Sequence, residues 1–471
     1  MVGVRWTAPA AALIAALTGC AAVGPDYHLP PQALLNAPAA QGAFVSGHDA
    51  TSQDTPLPDH WWTLFDDPRL NALVERALAA NIDLKVAEAN LRRTAALLDE
   101  ARTRDFDGLA DAETYWTQQS PEQVLQHVRP HQHQIFNIGA GISYDLDLFG
   151  GIRRGIEAAT DDAGAATAAR DLVRINVAAR TAQAYAELCN AGHQIELVRE
   201  LIAVRGSEVS LHHVLVSQGR LPGYEEQRRQ GELADSQARL PQLTALQRNA
   251  AIRLAALQGQ PPGDADPQLL DCHQPLQLPA LLPTGDGAAM LRRRPDVRAA
   301  ERSLAAATAR VGVSTAALYP DIKLGAAIGS TGGVTDAFGP LTDRFNVGPM
   351  VNWDLRRSAV RARIAQSEAS AQGKLAAFDA TVLRALREVE TALNNYDAVL
   401  ARRADLTRAA AAATQVAARA RELRDGGRLG ALPALTAQRD SIAARQALAA
   451  IDAEVNAAQV AVFLALGGGW T

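Results

Sequence analysis

Phe136-Asn137-Ile138-Gly139-Ala140-Gly141-Ile142-Ser143-Tyr144-Asp145-Leu146 returns about 210 residues later as Phe345-Asn346-Val347-Gly348-Pro349-Met350-Val351-Asn352-Trp353-Asp354-Leu355. In the first copy Phe136, Ile138, Ala140, Ile142, Tyr144 and Leu146 alternate with Asn137, Gly139, Gly141, Ser143 and Asp145. Successive side chains of a strand point to opposite faces, so a period of two predicts a β-strand with one apolar and one polar face. Each copy has a partner upstream. Phe106, Gly108, Ala110, Ala112, Thr114 and Trp116 lie opposite Asp105, Asp107, Asp111 and Glu113, and Ile322, Leu324, Ala326 and Ile328 lie opposite Asp321, Lys323 and Gly325. Two β-hairpins are therefore expected, near 105–149 and 321–355, with strands of about 9–11 residues, the length of tilted membrane strands. Pro349 is the discordant residue, because it has no N–H for a central ladder. A half-buried soluble sheet would alternate in the same way.

Working outward, the stretch 81–91 resembles 294–304, Gly219-Arg220-Leu221 recurs as Gly427-Arg428-Leu429, and Leu257-Gln258-Gly259 as Leu466-Gly467-Gly468. Matches in one order mean that the chain is written twice, each half building the same unit. The first repeat spans 68–260 and the second 291–471, joined by a linker at 261–290. Each unit opens with a helix, runs through its β-hairpin, and ends in a long helical hairpin, at 155–258 and 359–466. The helices of these hairpins are read over 155–218, 224–258, 359–426 and 434–466. A helix of 64 residues rises on the order of 96 Å. Leu197, Leu201, Val204, Leu211 and Leu215 recur at three-and-four spacing, interrupted by Glu208, and Leu406, Ala410, Ala413, Ala417 and Ala420 make a second stripe. Such stripes are coiled-coil seams.

Composition agrees with thin helical packing rather than a thick core. The chain has 96 Ala among 471 residues, and Phe, Trp and Tyr together make 5%. The 46 basic and 51 acidic residues nearly cancel, which argues against nucleic acid as a partner. Three cysteines exclude a disulfide framework and any four-thiolate metal site.

Residues 1–19 read as a signal peptide, with Arg5 before an apolar run too short to span a bilayer. Leu17-Thr18-Gly19-Cys20 resembles the lipobox of bacterial lipoproteins. That resemblance implies cleavage before Cys20, a thioether diacylglycerol and an N-acyl group on it, and outer-membrane sorting, because no Asp follows. Residues 20–67 would form a lipidated, extended N-terminal segment. Export would permit a Cys189–Cys272 disulfide. Their places in separate elements favour two isolated small side chains instead.

Four strands cannot close a barrel, and open edges in hydrocarbon cost several kcal/mol for each unpaired backbone group. Two copies would supply eight strands and three would supply twelve. At this point the chain resembles the outer-membrane factor family of tripartite export systems, TolC/OprM-like, and its NodT-like lipoprotein branch. The resemblance covers essentially the whole mature chain. It is carried by Cys20 with Val23-Gly24-Pro25-Asp26-Tyr27, then Trp61-Trp62, Phe65, Asp67-Pro68, Leu70, Ala77-Leu78 and Asn81. Further on it rests on Leu291-Arg292-Arg293-Arg294-Pro295-Asp296-Val297 with Ala300-Glu301, Leu318-Tyr319-Pro320, and Tyr144 through Gly150. It implies a homotrimer with a twelve-stranded outer-membrane β-barrel and a periplasmic α-helical barrel with a helical belt partway down. It also implies a periplasmic adaptor and an inner-membrane pump of the resistance-nodulation-division class. The expected function is a passive outer-membrane exit channel for drugs or small toxic compounds. A type I protein-secretion conduit is the nearest alternative, and a structural periplasmic coiled-coil lipoprotein is the alternative of another class.

No catalytic or nucleotide motif is present, so no enzyme activity and no cofactor beyond the lipid are expected. His127, His131 and His133 belong to a polar strand-to-strand loop, and no metal site is assigned. No transmembrane helix suggests itself either. Asp105, Asp107, Asp111, Asp145 and Asp354 are expected to face the barrel lumen and bias permeants electrostatically, with pairing to Lys323 or arginines as the competing reading. The periplasmic mouth is placed at the turns after Gly219 and Gly427, with Arg220, Leu221, Arg428 and Leu429 as adaptor contacts. The family's acidic positions after the second tip are Pro433 and Thr436 here, whereas the first tip has Glu225 and Glu226. An acidic ring held shut by Arg228 or Arg229 would come from the first repeat.

Overall fold

The computed structural model describes residues 22–46, 52–53, 55, 57–118, 125–127, 132–279 and 281–468. Residues 1–19, expected as a signal peptide, and Cys20 and His131 lie outside them. Along the chain run α1 (Pro68–Ala80), α2 (Ile82–Arg102), β1 (Phe106–Thr117), β2 (His133–Asp145), α3 (Gly151–Ser217) and α4 (Gly223–Leu257). The second half repeats the order with α5 (Gly287–Arg293), α6 (Pro295–Ala316), β3 (Asp321–Gly333), β4 (Asp343–Asn352), α7 (Arg357–Asp425) and α8 (Ala431–Ala465). The two strand hairpins and both long helical hairpins fall where the sequence periods change. The strands run to 12, 13, 13 and 10 residues, mostly beyond the expected length.

Two compact units divide the chain. One comprises Met1–Pro30, Leu91–Ala166 and Ala300–Phe378, and the other Pro31–Asn90, Thr167–Ala299 and Asp379–Thr471. The first holds a four-stranded antiparallel sheet in the order β1-β2-β3-β4. Pro349 sits in β4, paired with Leu324, on a strand that is an edge of the sheet within a single chain.

The second unit holds the helical tips and the larger aromatic core. The helix expected to open the first repeat is two helices broken at Asn81, whose backbone is extended. The Asn81 Oδ1 accepts from Leu84 N at 3.1 Å, capping α2, while its Nδ2 donates to Leu257 O at 2.9 Å. The repeat breaks at its own equivalent, Arg294, because Pro295 disfavours helical backbone in the residue before it. Arg294 is buried and bonded to Asp296, Glu388 and Ala465 O. Trp61 stacks on Phe463 with ring centroids 4.6 Å apart, and Phe65 meets the same ring edge-on. These contacts explain why α8, apolar enough by length and composition to cross a membrane, is a core helix here. Its Ile451, Val455, Val462 and Phe463 are buried.

The cysteines are corrected by the structure. Cys189 and Cys272 are disulfide-bonded, with Cα atoms 4.7 Å apart. Sequence distance concealed this because the linker lies directly on α3. Gly192 leaves so little room that an added Cβ would stand 2.0 Å from Cys272 O. Gln247 and Asn456 hold the same linker by bonds to Leu270 O and Leu276 O, at 2.9 and 2.8 Å. Closing a loop of this length removes denatured-state entropy, so Cys272→Ser should cost about 2–4 kcal/mol per chain. The check is the urea midpoint of the purified protein under oxidising conditions. A midpoint equal to wild type would show the bond to be idle.

Pore-lining face and helical mouth

Antiparallel partners point to the same side of a sheet, so the register decides what each face carries. Gly108, Ile142, Ala326 and Val347 stand in one row across all four strands, and Ala110, Ala140, Ile328 and Phe345 in the next. All four strands are in phase; the following row ends in Ser330 and Asp343, but over these rows one face is apolar from edge to edge. It is also uncovered: Ile328, Val347 and Phe345 are 69%, 79% and 83% exposed. Phe106 and Tyr144 pair near one end of that face, while Trp116 and Phe136 lie toward the other, with Phe338 6.1 Å from the Phe136 ring. Ten residues of strand between Phe106 and Trp116 span about 34 Å, or roughly 25 Å of height at membrane tilt, the size of a barrel's apolar band between aromatic girdles.

The opposite face is polar and internally bonded. Asn137 donates to Asp111 and Glu113 at 3.0 and 3.2 Å, and accepts from Thr331 and Arg344 at 2.8 and 2.6 Å. Side chains from all four strands, two of them on β1, are thereby tied together. Lys323 lies 3.7 Å from Asp145 and 3.6 Å from Asp321. The five aspartates are thus not one acidic lining. Asp107 and Asp111 share the polar face of β1, and Asp145, at the end of β2, is opposed by Lys323. Asp105 precedes β1 and uses its carbonyl to accept from Asp145 N at 2.7 Å. Asp354 lies beyond β4, where its carboxylate closes the turn into α7 on Arg356 N, Nε and Nη2, each at 3.0 Å. The strand ends at Asn352 because that turn takes over the backbone, and alternation alone could not show it.

The two helical tips are built alike. At the first, Gly219 has φ +71° and Arg220 N donates to Leu215 O at 2.8 Å; at the second, Gly427 has φ +67° and Arg428 N donates to Leu423 O at 2.8 Å. A left-handed residue after the helix end lets the chain reverse, and glycine adopts it without steric cost. Arg220 and Arg428 are exposed, and Leu221 and Leu429 are half-buried.

The sequence paired the charges near the first helical tip only in part. Arg228 does hold Glu225, at 2.5 Å, but both lie on α4. Glu226 meets His213 at 3.1 Å and Gln230 at 3.2 Å. Arg229 turns to Glu232 at 3.0 Å, which also receives Arg205 from α3 at 2.6 Å. Burial pushes the Glu232 carboxyl upward, but the Arg205 bond and the Arg229 charge outweigh it and hold it below the usual carboxylate range. A depressed carboxyl contributes stability above its unfolded value, about 4.3, and loses it as pH falls through the folded one. Glu232→Gln should therefore lower the urea midpoint by a constant amount at about pH 6–8, a difference that fades toward about pH 3. A difference growing on acidification would contradict the assignment.

Links between the hairpins were not foreseen. Arg445 on α8 reaches Glu200 on α3 at 2.7 and 3.3 Å, and Arg439 lies 3.7 Å from Glu208. Glu208 looked like an interruption of the leucine stripe. It belongs to the stripe's buried side, 3% exposed, with Oε2 unpartnered. Beside it Leu201, Val204 and Ile442 form a small core, and a cleft of about 520 Å³ opens among α3, α7 and α8.

The family model for outer membrane efflux proteins matches residues 73–260 and 288–468. Nodulation protein T of Rhizobium leguminosarum bv. trifolii is 28% identical over 395 residues, covering 83% of this chain and 81% of that protein. Toluene efflux pump outer membrane protein TtgC of Pseudomonas putida is 28% identical over 465 residues, covering 96% and 93%. Among solved structures, the outer-membrane channel OprN matches with a TM-score of 0.83 at 32% identity, over 95% of this chain and 99% of that one. The open-state MtrE channel of Neisseria gonorrhoeae, at 23% identity and a TM-score of 0.81 over 95% and 98%, has the same fold. With its in-phase strands and its duplicated helical hairpins, this chain belongs to the outer membrane efflux protein family, as an efflux channel of the outer membrane rather than a catalyst.

Proposed function

We propose that the chain is the passive exit duct of a tripartite efflux assembly, working as a homotrimer with a twelve-stranded barrel. The observation that carries this is the four-stranded sheet with a continuous exposed apolar face and two unpaired edges, β1 and β4. Neither edge is tolerable in hydrocarbon, and copies joined β4 to β1 leave none. The polar face then lines the lumen, where Arg344 and Lys323 beside Asp111 and Asp145 make a mixed lining. The helical hairpins extend into the periplasm and end in the mouth. Gly219, Arg220, Leu221, Gly427, Arg428 and Leu429 meet a periplasmic adaptor there, which joins the duct to an inner-membrane pump of the resistance-nodulation-division class.

The cargo follows from the pump, since an open lining has little to read. Relatives named for toluene efflux, pyoverdine export and cation efflux support that breadth. For this chain the cargo class is drugs and small toxic compounds. Residues 1–19 are the signal peptide, and Cys20 is the lipidated residue of a NodT-like lipoprotein. Reconstitution of the purified chain in a planar bilayer, with oligomer mass measured on the same sample, tests the proposal. Conductance from a three-copy particle is the expected result. A conducting monomer, or a trimer without conductance, would overturn it.

A further inference from the structure

Val23-Gly24-Pro25-Asp26-Tyr27 has no part in the duct described so far, yet the first compact unit holds a built receptor for it. Arg154, near the start of α3 and 4% exposed, donates Nε to Val23 O at 3.2 Å and Nη2 to Gly24 O and Asp26 Oδ1 at 3.3 and 2.6 Å. Its Nη1 is held by Glu157 at 2.7 Å, so the guanidinium is fixed from behind. Val23 N donates to Phe149 O at 3.1 Å, and Tyr27 OH reaches Glu301 at 3.5 Å.

Three glycines make the fit. Gly24 has φ +89°, and a Cβ there would stand 2.4 Å from Gly312 Cα on α6. A Cβ on Gly312 would strike Arg154 Cγ at 2.7 Å, and one on Gly150 would strike Ala22 Cβ at 2.4 Å. Side chains are excluded on both sides of the contact, which packing of an incidental tail would not require. Gly150 follows the end of β2 by only a few residues, so the peptide is seated at the base of the sheet.

We propose that residues 22–27 are an intramolecular docking peptide and that Arg154 is its positioning residue, seating Ala22, two residues along the chain from Cys20, at the base of the sheet. The consequence for lipid rests on the reading of Cys20 as the acylated residue: docking presents its acyl chains beside the strands instead of at the end of a free tether.

The test is hydrogen exchange at the Val23 amide in full-length trimer extracted from outer membranes, with the intact mass of the mature chain measured in parallel. Arg154→Ala should speed exchange at least tenfold while the trimer persists. Arg154→Lys should do the same, because the guanidinium serves four acceptors, Val23 O, Gly24 O, Asp26 and Glu157, and an ammonium has three donors on a single atom. Should Arg154 variants fail to assemble, Gly24→Ala, outside the helices, must give the same acceleration. Unchanged exchange in all assembled variants overturns the docking. A mature mass without acyl groups removes the lipid reading alone, leaving the docking to stand or fall on exchange.

Discussion

Val347→Arg should abolish the heat-stable trimer in outer membranes, while Asn346→Arg, one residue away, should leave it intact. Val347 shares its row with Gly108, Ile142 and Ala326, near the middle of the apolar face. Asn346 shares the opposite row with Leu109, Gly141 and Ala327. Arginine on the lipid face near the bilayer midplane costs about 2–4 kcal/mol, and three copies place about 6–12 kcal/mol on one barrel. That is comparable with the whole stability of a typical domain. On the lumen face the same guanidinium remains in water, beside a row that already contains Arg344. The pair is read by heat-modifiable mobility on gels of outer-membrane fractions. Equal loss in both variants would mean that arginine at this level is harmful for steric reasons, and equal survival would mean that neither face meets lipid.

The faces were legible in the sequence because strand geometry is local: a period of two is enough to sort Val347 from Asn346 before any partner strand is known. Duplication made the tips legible too, since the glycine that permits one reversal recurs in the other. What stayed hidden depends on contacts between distant segments. Nothing near Cys189 announces Cys272, because their proximity comes from the linker crossing α3 at Gly192. Asp354 looked like a lumen residue because alternation continues past the point where the backbone leaves the sheet. Glu208 looked misplaced because a helical stripe says which side is buried and nothing about the charge arriving from another helix. Even the break at Asn81 was blurred, since helix-favouring residues flank a cap that works through its own side chain.

Arg439→Ala should raise the open probability of the reconstituted channel at least tenfold, and Arg228→Ala should change it far less. Opening the end of a helical bundle requires its hairpins to move past one another. Arg228 and Glu225 ride on one helix, and Arg205 and Glu232 belong to one hairpin, so their bonds travel with the moving part. An exposed pair such as Arg228 with Glu225 contributes little, because water screens it. Arg439 and Glu208 join α8 to α3, across the two hairpins, as do Arg445 and Glu200. Glu208 is buried and its Oε2 has no hydrogen-bond partner, so Arg439 is the cation that compensates it. Arg439 is itself partly exposed and also bonds Asp440 at 3.1 Å, so its removal strands the Glu208 carboxylate at about 1–3 kcal/mol. The helices recover that energy by separating until the carboxylate meets water, which is a step toward an open mouth. Pairing Arg439→Ala with Glu208→Gln removes the stranded charge as well, so most of the leakage should disappear in the double variant. Planar-bilayer recordings of the three variants decide the matter. If the double variant leaks as much as Arg439→Ala, the arginine acts through packing alone, and the clasp between hairpins is not electrostatic.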